Sequence, residues 1–466
     1  MTNLLLLSCA LPLMLASCSI PDPLVDRIKE NGELRVVTRH NPTTYYRGRN
    51  GTRGLEYELV SLFAEKLGVK PRFILAESFD QILPAVARGE VHFGAAGLTA
   101  TRGQEHHVRF TRSYQSITQQ LIYRQGTRRP KQITDTLGGT FEVVAGRSHE
   151  ERLQELKREH PDLEWTANSE VSSEELISLV VEKIIDYTIC DSNEAALSRR
   201  FHPELKVAFD ITEALPLAWA FPHAEDDSLF EAAQSFLGEL EQSGELKQIL
   251  DRYYGHVESL DAVDTVTFRR HIVQRLPSYV ALFKQAALET GLDWRLLAAI
   301  GYQESHWNPK AVSPTGVTGI MMLTKAAAKD LGVESRTDPE QSILGGSRYI
   351  LMVREKIPER IPEPDRLWMA LAGYNVGFGH LEDARILTQR HGEDPDKWVD
   401  VKKYLPLLSQ KKFYTTVKHG KARGKEPVNY VDNIRSYYDL LVWENNRQAV
   451  PVASGLPTQL TPAAVF

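Results

Sequence analysis

The chemistry-bearing residues of this chain gather around Glu304, in the run Gln303-Glu304-Ser305-His306-Trp307-Asn308-Pro309. Upstream, Asp293 reads as a helix N-cap, and Leu297, Ile300 and Glu304 follow it at spacings of four, three and four, which puts them on one helical face. The carboxylate therefore points where the apolar side chains point. A carboxyl group pressed against an apolar core resists ionisation because its charged form loses water, so its pKa rises toward the range of a general acid. Glu304 is thus a candidate proton donor. The plainer alternative is a helix-end glutamate that simply reaches solvent.

The elements that must position this carboxyl are mostly helical. After Glu304 the chain turns through Ala311, Ser313, Gly316 and Gly319 into Ile320-Met321-Met322-Leu323. Asp338-Pro339-Glu340-Gln341 supplies an N-cap, a proline at the first helical position and a capping-box glutamine, predicting a helix that reaches Lys356. A proline-rich loop, Ile357 to Pro364, precedes a helix that carries Tyr374 and Asn375 near its end, where Gly377 and Gly379 break it. A final helix is predicted from Asn429 to Trp443, and an amphipathic one from His271 to Glu289.

Glu-Ser, then Asn-Pro, then Ala-x-Ser-x-x-Gly-x-x-Gly-x-Met resembles the signature of the family 1 lytic transglycosylases, lysozyme-like enzymes that cleave peptidoglycan glycan strands. Ala372-Gly373-Tyr374-Asn375 and Asn429-Tyr430-Val431 match further elements of that family at the expected separations. One position departs: Gly319-Ile320-Met321-Met322 stands where most members have Gly-Leu-Met-Gln. That departure, with the domain upstream, resembles the family's membrane-bound F branch in particular.

The resemblance implies a mainly α lysozyme-like catalytic domain over residues 271–450, with Glu304 as the catalytic residue. Ser305, Met321, Met322, Tyr374, Asn375 and Tyr430 would bind substrate, with Tyr374 orienting Glu304 through its hydroxyl and Tyr430 bordering the cleft. Read as residues alone, Ser305 serves equally as a helix C-cap, and Tyr374 and Asn375 as a buried tyrosine and a helix-ending asparagine. Met321 and Met322, with Trp307 and His306, would line the groove. No His or Cys stands near them at ligand spacing, so neither metal nor cofactor is expected.

Glycosidases usually pair two carboxylates, yet no Asp or Glu lies between Glu304 and Asp330. A single carboxyl group serves if it protonates the glycosidic oxygen and then, as carboxylate, removes a proton from an internal nucleophile. The resemblance implies that nucleophile is the C6 hydroxyl of muramic acid, leaving a 1,6-anhydro end. Two other readings stay open: a hydrolysing muramidase, and a receptor whose enzyme-like domain only holds glycan.

With 466 residues, 42% of them hydrophobic and 25% charged, the chain has room for several packed domains. A net charge of −6 gives no support to nucleic-acid binding. From about Gly32 to His256, short apolar runs alternate with helical patterns, as in an α/β sheet domain. Strands are predicted over 34–38 and 69–75, with helices over 56–67 and from Ser78 to Ala87; Leu217 to Phe221 returns to the sheet, and helices between Ser228 and Tyr254 close the first lobe.

Gly54-Leu55-Glu56-Tyr57-Glu58-Leu59, Gly97-Leu98-Thr99-Ala100-Thr101-Arg102 and Val108-Arg109-Phe110-Thr111-Arg112-Ser113-Tyr114 together resemble a family 3 periplasmic solute-binding protein. The resemblance implies two lobes around one cleft over residues 18–256, with a regulatory ligand, an amino acid or a peptidoglycan stem peptide. Arg102 would hold the ligand carboxylate, Ser148 and its helix N-terminus the same anion, and Asp191 the amino group.

Residues 1–17 read as a targeting segment, its apolar run too short to span a bilayer comfortably. Leu15-Ala16-Ser17-Cys18 resembles a bacterial lipoprotein signal, implying lipidation at Cys18 and an outer-membrane anchor at the periplasmic face. A plain secretory signal is the alternative, since the segment opens without Lys or Arg. A linker is expected over 257–270 and a frayed tail over 451–466.

Overall fold

The computed structural model describes residues 22–48, 51–257 and 262–449. The targeting segment, Cys18 and the tail lie outside them. Among the described residues, no helix is long and apolar enough to cross a membrane.

The first domain has two lobes. Its larger sheet runs in the order Lys70–Leu75, Glu33–Thr38, Phe93–Thr99, Leu215–Pro222, Val108–Phe110, and Gln115–Ile117 also pairs with Leu215–Pro222. The first two pairings are parallel, in the manner of βαβ units, and those to Leu215–Pro222 are antiparallel. Phe93–Thr99 is buried along its whole length, which suits a central strand. Helices Leu55–Leu67, Ser228–Gln242 and Glu245–Tyr254 cover one face, packing Leu59, Phe63, Phe236 and Ile249 against Trp219 and its sheet neighbours.

The second lobe contains an antiparallel sheet, Thr188–Asp191, Gln119–Arg124, Leu205–Asp210, and a parallel pair, Glu142–Val144 with Thr166–Asn168. The chain passes between the lobes twice, after Ile117 and before Leu215. Two strand crossings of this kind make a hinge beside a cleft.

The second domain is helical. The stretch expected to be a linker is helical from Ala262, and the single helix predicted from His271 to Glu289 is two, Ala262–Gln274 and Val280–Thr290. A 3-10 turn at Leu276–Ser278, with Pro277 in it, separates them, because proline cannot donate the backbone bond a continuing helix needs. Trp294–Ser305 forms the centre of the core, with Leu297 and Ile300 fully buried, and the terminal helix Lys425–Ala449 packs along it. The terminal helix extends beyond its predicted bounds at both ends.

The domains join through buried charge. Arg200 of the second lobe and His256 (2.8 Å) both reach Asp439 on the terminal helix, and Phe201 stacks on Trp443 at 5.2 Å. Asp251 pairs with Lys402 and Arg435 nearby. Arg200 and the His256 hydrogen bond hold the Asp439 carboxyl below the usual range despite burial, whereas burial and the Arg435 and Arg200 guanidinia push His256 down to about 3, so its imidazole stays neutral.

Candidate active site

Helix Trp294–Ser305 starts where Asp293 accepts a hydrogen bond from the Arg295 amide (2.8 Å). It stops at His306 and Trp307, both left-handed with φ of 52° and 57°. Two successive non-glycine residues in that region cost roughly 1–2 kcal/mol each, and packing holds them there. The Trp307 indole is buried and donates to the Ala298 carbonyl at 2.8 Å, while His306 stacks on Tyr302 at 4.7 Å. Trp307 is therefore core rather than groove wall, contrary to the expectation from sequence.

Glu304, in the last turn, is partly exposed. Its Oε1 accepts a hydrogen bond from the Tyr430 hydroxyl at 2.5 Å, and no protein donor meets Oε2 among the described residues. Burial raises its pKa from 4.5 to about 7, the Tyr430 hydrogen bond partly opposing that rise. The negative end of its own helix acts in the same direction as burial. No other carboxylate contributes to the shift. A carboxyl raised this far is able to give or take a proton near neutral pH.

The two tyrosines are placed differently from what the sequence suggested. Tyr430, expected at the cleft border, holds Glu304; Tyr374, expected to orient Glu304, donates instead to the Met321 carbonyl at 2.6 Å. Their rings lie nearly parallel, 6.4 Å apart, so they form one layer with the carboxyl at one edge and the loop at the other.

That loop is fixed from three sides. Ser305 Oγ donates within 2.9 Å of the Ile320 carbonyl, Ser342 Oγ accepts from the Met321 amide (3.2 Å), and Tyr374 holds Met321 O. Ser305, expected to touch substrate, thus ties the helix end to the loop. Met321, expected on the groove wall, is fully buried; Met322 is partly exposed, with φ of 47°. Gly319 (φ 91°) is required on two counts, since a Cβ there would lie 1.8 Å from the Arg336 carbonyl. Asn375 is exposed with no hydrogen-bond partner among the described residues, and its amide is free to meet a ligand. Ser342 and Arg336, which donates to Leu323 O at 2.8 Å, carry no local signal that marks them.

In the first domain the expected ligand residues meet one another or stand apart. Asp191 is held by Arg147 (2.5 Å) and His149 (2.8 Å). Ser148 Oγ accepts from the Gln119 side-chain Nε2 at 2.8 Å, and Arg102 is exposed without a partner among the described residues. The guanidinia between the lobes are Arg39 and Arg147, both on Glu194. Further contacts across the cleft join Asn41 to Glu174, and Thr101 to Glu151 at 2.7 Å. Burial and the Glu194 charge raise Glu174 to about 7; Arg147 and Arg39 overcome the burial of Glu194 and hold its pKa down.

Comparison with known proteins places both domains. Residues 34–256 match bacterial extracellular solute-binding proteins, family 3, and residues 281–396 match the transglycosylase SLT domain. Membrane-bound lytic murein transglycosylase F 1 of Alkalilimnicola ehrlichii is 48% identical over 451 residues, 95% of this chain and 91% of that protein. The membrane-bound lytic murein transglycosylase F of Stutzerimonas stutzeri is 47% identical over 95% of this chain and 91% of its own. The chain belongs to the membrane-bound lytic murein transglycosylase F family. Among solved structures, an ancestral arginine-binding protein bound to arginine is similar at 23% identity and a TM-score of 0.44, covering 48% of this chain and 98% of that one. An amino acid ABC transporter substrate-binding protein from Streptococcus pneumoniae bound to L-arginine has a TM-score of 0.45 at 20% identity, covering 49% and 98%.

Proposed function

We infer that this chain is a lytic murein transglycosylase, a lyase acting on peptidoglycan, in which Glu304 is the only catalytic carboxyl. It cleaves the β-1,4 bond between N-acetylmuramic acid and N-acetylglucosamine. The protonated Glu304 gives its proton to the glycosidic oxygen as the bond from muramic C1 breaks. The resulting carboxylate takes the proton of the C6 hydroxyl as O6 bonds to C1, so the enzyme recovers its proton and no water is consumed. The acetamido group shields the oxocarbenium-like centre. The single observation supporting this reading is a partly exposed carboxyl with a pKa of about 7, held by Tyr430 and shifted by no second acid. Glu304→Gln removes both proton steps. Digestion of purified sacculi by the variant should fall by at least about 10³-fold with glycan binding retained; activity within tenfold of the unaltered chain would refute the assignment.

Met322, Asn375 and Tyr430 contact the strand in this reading, while Ser305, Met321 and Tyr374 shape the loop beneath it. The two-lobed domain binds a free amino acid or a stem peptide between the lobes, where Arg39 meets Glu194 and Asn41 meets Glu174 across the cleft. Calorimetry on the whole chain with both ligand types tests this, and absence of heat with either would leave the domain a structural one. The run Leu15-Ala16-Ser17-Cys18 supports a lipid anchor on Cys18 at the periplasmic face of the outer membrane; mass spectrometry of the mature N-terminus decides it.

A further inference from the structure

Between the short helix Lys411–Tyr414 and the terminal helix, the chain forms a basic strap. Lys411, Lys412, Lys418, Lys421, Arg423 and Lys425 are all exposed, and the only acid among residues 411–426 is Glu426, which pairs with Arg423 at 3.3 Å. This concentration stands in a chain whose net charge is −6. Some exposed cations of the same domain have partners, Arg360 with Asp396 and Lys403 with Glu393 and Asp400, whereas the strap has one acid for six cations and one histidine. Lys411, Lys412, Lys418, Lys421 and Lys425 have no carboxylate within ion-pair distance among the described residues.

The strap is not a loose loop. The amides of Lys418 and His419 donate to the fully buried Asp383 at 3.1 and 2.8 Å, the Ala422 amide to Leu408 O at 3.1 Å, and Arg390 to Thr416 O at 2.9 Å. Backbone anchored this way fixes where the lysine stems begin, while their charges stay in water. Five like charges held together without counter-charges raise the local potential, a cost that an anionic ligand relieves.

Its position relates it to the groove. The His419 ring lies against Gly379, where a Cβ would come within 2.6 Å of Nδ1, just beyond the helix end that presents Asn375. Lys425 opens the helix whose Tyr430 holds Glu304, and five residues of helix rise only about 7.5 Å. The strap thus runs from beside Gly379, four residues past Asn375, to the start of the helix that carries Tyr430.

We propose that this strap binds the free carboxylates of stem peptides on the glycan strand in the groove, so that the enzyme prefers peptide-bearing strands to denuded ones. Resting on the transglycosylase reading, the proposal adds to it which part of the murein is recognised. The strand supplies the matching chemistry, since each muramic acid projects a short peptide that ends in, and carries, carboxylates. Exposed lysines attract such groups over the Debye length and mainly raise the rate of productive encounter, so the effect falls as salt is added.

The test compares kcat/KM on glycan strands with stem peptides and on strands stripped by an amidase, for the unaltered full-length chain and a variant with Lys411, Lys418, Lys421 and Lys425 all changed to Gln. The unaltered chain should prefer peptide-bearing strands, and the variant should lose about tenfold on those while changing less than twofold on stripped ones. A matching Lys→Arg variant should retain the preference. If the Gln variant does not fold, a salt titration of the unaltered chain serves instead: activity on peptide-bearing strands alone should fall steeply. Equal loss on both substrates, or none on either, overturns the proposal and leaves the transglycosylase reading intact; cleavage of neither by the unaltered chain removes both. Sedimentation with phosphatidylglycerol vesicles that the Gln variant alone loses, with digestion unchanged, would overturn it in favour of a membrane surface.

Discussion

Tyr430→Phe is the most informative single change, because it removes one hydroxyl and leaves the ring that packs on Tyr374. The hydroxyl lies 2.5 Å from Glu304 Oε1 and stabilises the carboxylate more than the acid, which is why it lowers a pKa that burial has raised to about 7. A hydrogen bond to a charged group contributes roughly 1.5–3 kcal/mol, and 1.36 kcal/mol is one pKa unit. Its loss should therefore raise the Glu304 pKa by roughly one to two units. The first step needs the protonated form, so kcat/KM falls as pH rises through the free enzyme's pKa. For the unaltered chain that alkaline limb should lie near pH 7, and in Tyr430→Phe it should move to higher pH. The assay is release of soluble glycan fragments from sacculi as a function of pH. A limb that stays in place, or moves to lower pH, would refute the assignment of both residues.

Other changes test the frame around this pair. Glu304→Gln should stabilise the protein above neutral pH: a carboxyl whose folded pKa is raised binds its proton more tightly folded than unfolded, so stability is lost as pH climbs from 4.5 through about 7. The gain at pH 8 has an upper bound of about 3 kcal/mol, reduced by solvent at the exposed edge, and should vanish near pH 4; thermal melts at both values check it. Gly319→Ala places a methyl group 1.8 Å from the Arg336 carbonyl at a φ of 91°. It should cost about 2 kcal/mol or more and lower sacculus digestion further than stability alone explains. Asp439→Ala leaves Arg200 without its buried partner and should destabilise by about 3–5 kcal/mol in urea melts, with the domains no longer unfolding together.

What the sequence made legible was local. The face shared by Leu297, Ile300 and Glu304, and the caps at Asp293 and Asp338, follow from spacing within one helix, and the structure has them. Gln341 marks where that reasoning ends: its side chain accepts from the Glu334 and Ser335 amides (2.9 and 3.0 Å) instead of returning to its own helix start. The partner of Glu304 lies 126 residues away in the chain. Which of two near-parallel tyrosines reaches it depends on where the terminal helix crosses, which no local pattern encodes. The same limit explains the first domain, where Arg102 sits in a recognisable motif yet on an exposed turn, while Arg39 and Arg147 are brought between the lobes by tertiary packing.

The central claim is that one carboxyl closes an internal ring rather than activating water. Digestion of sacculi in ¹⁸O-labelled water, followed by mass spectrometry of the fragments, tests it directly. Anhydromuramic ends free of the label are the expected product; reducing muramic acid that carries ¹⁸O would contradict it.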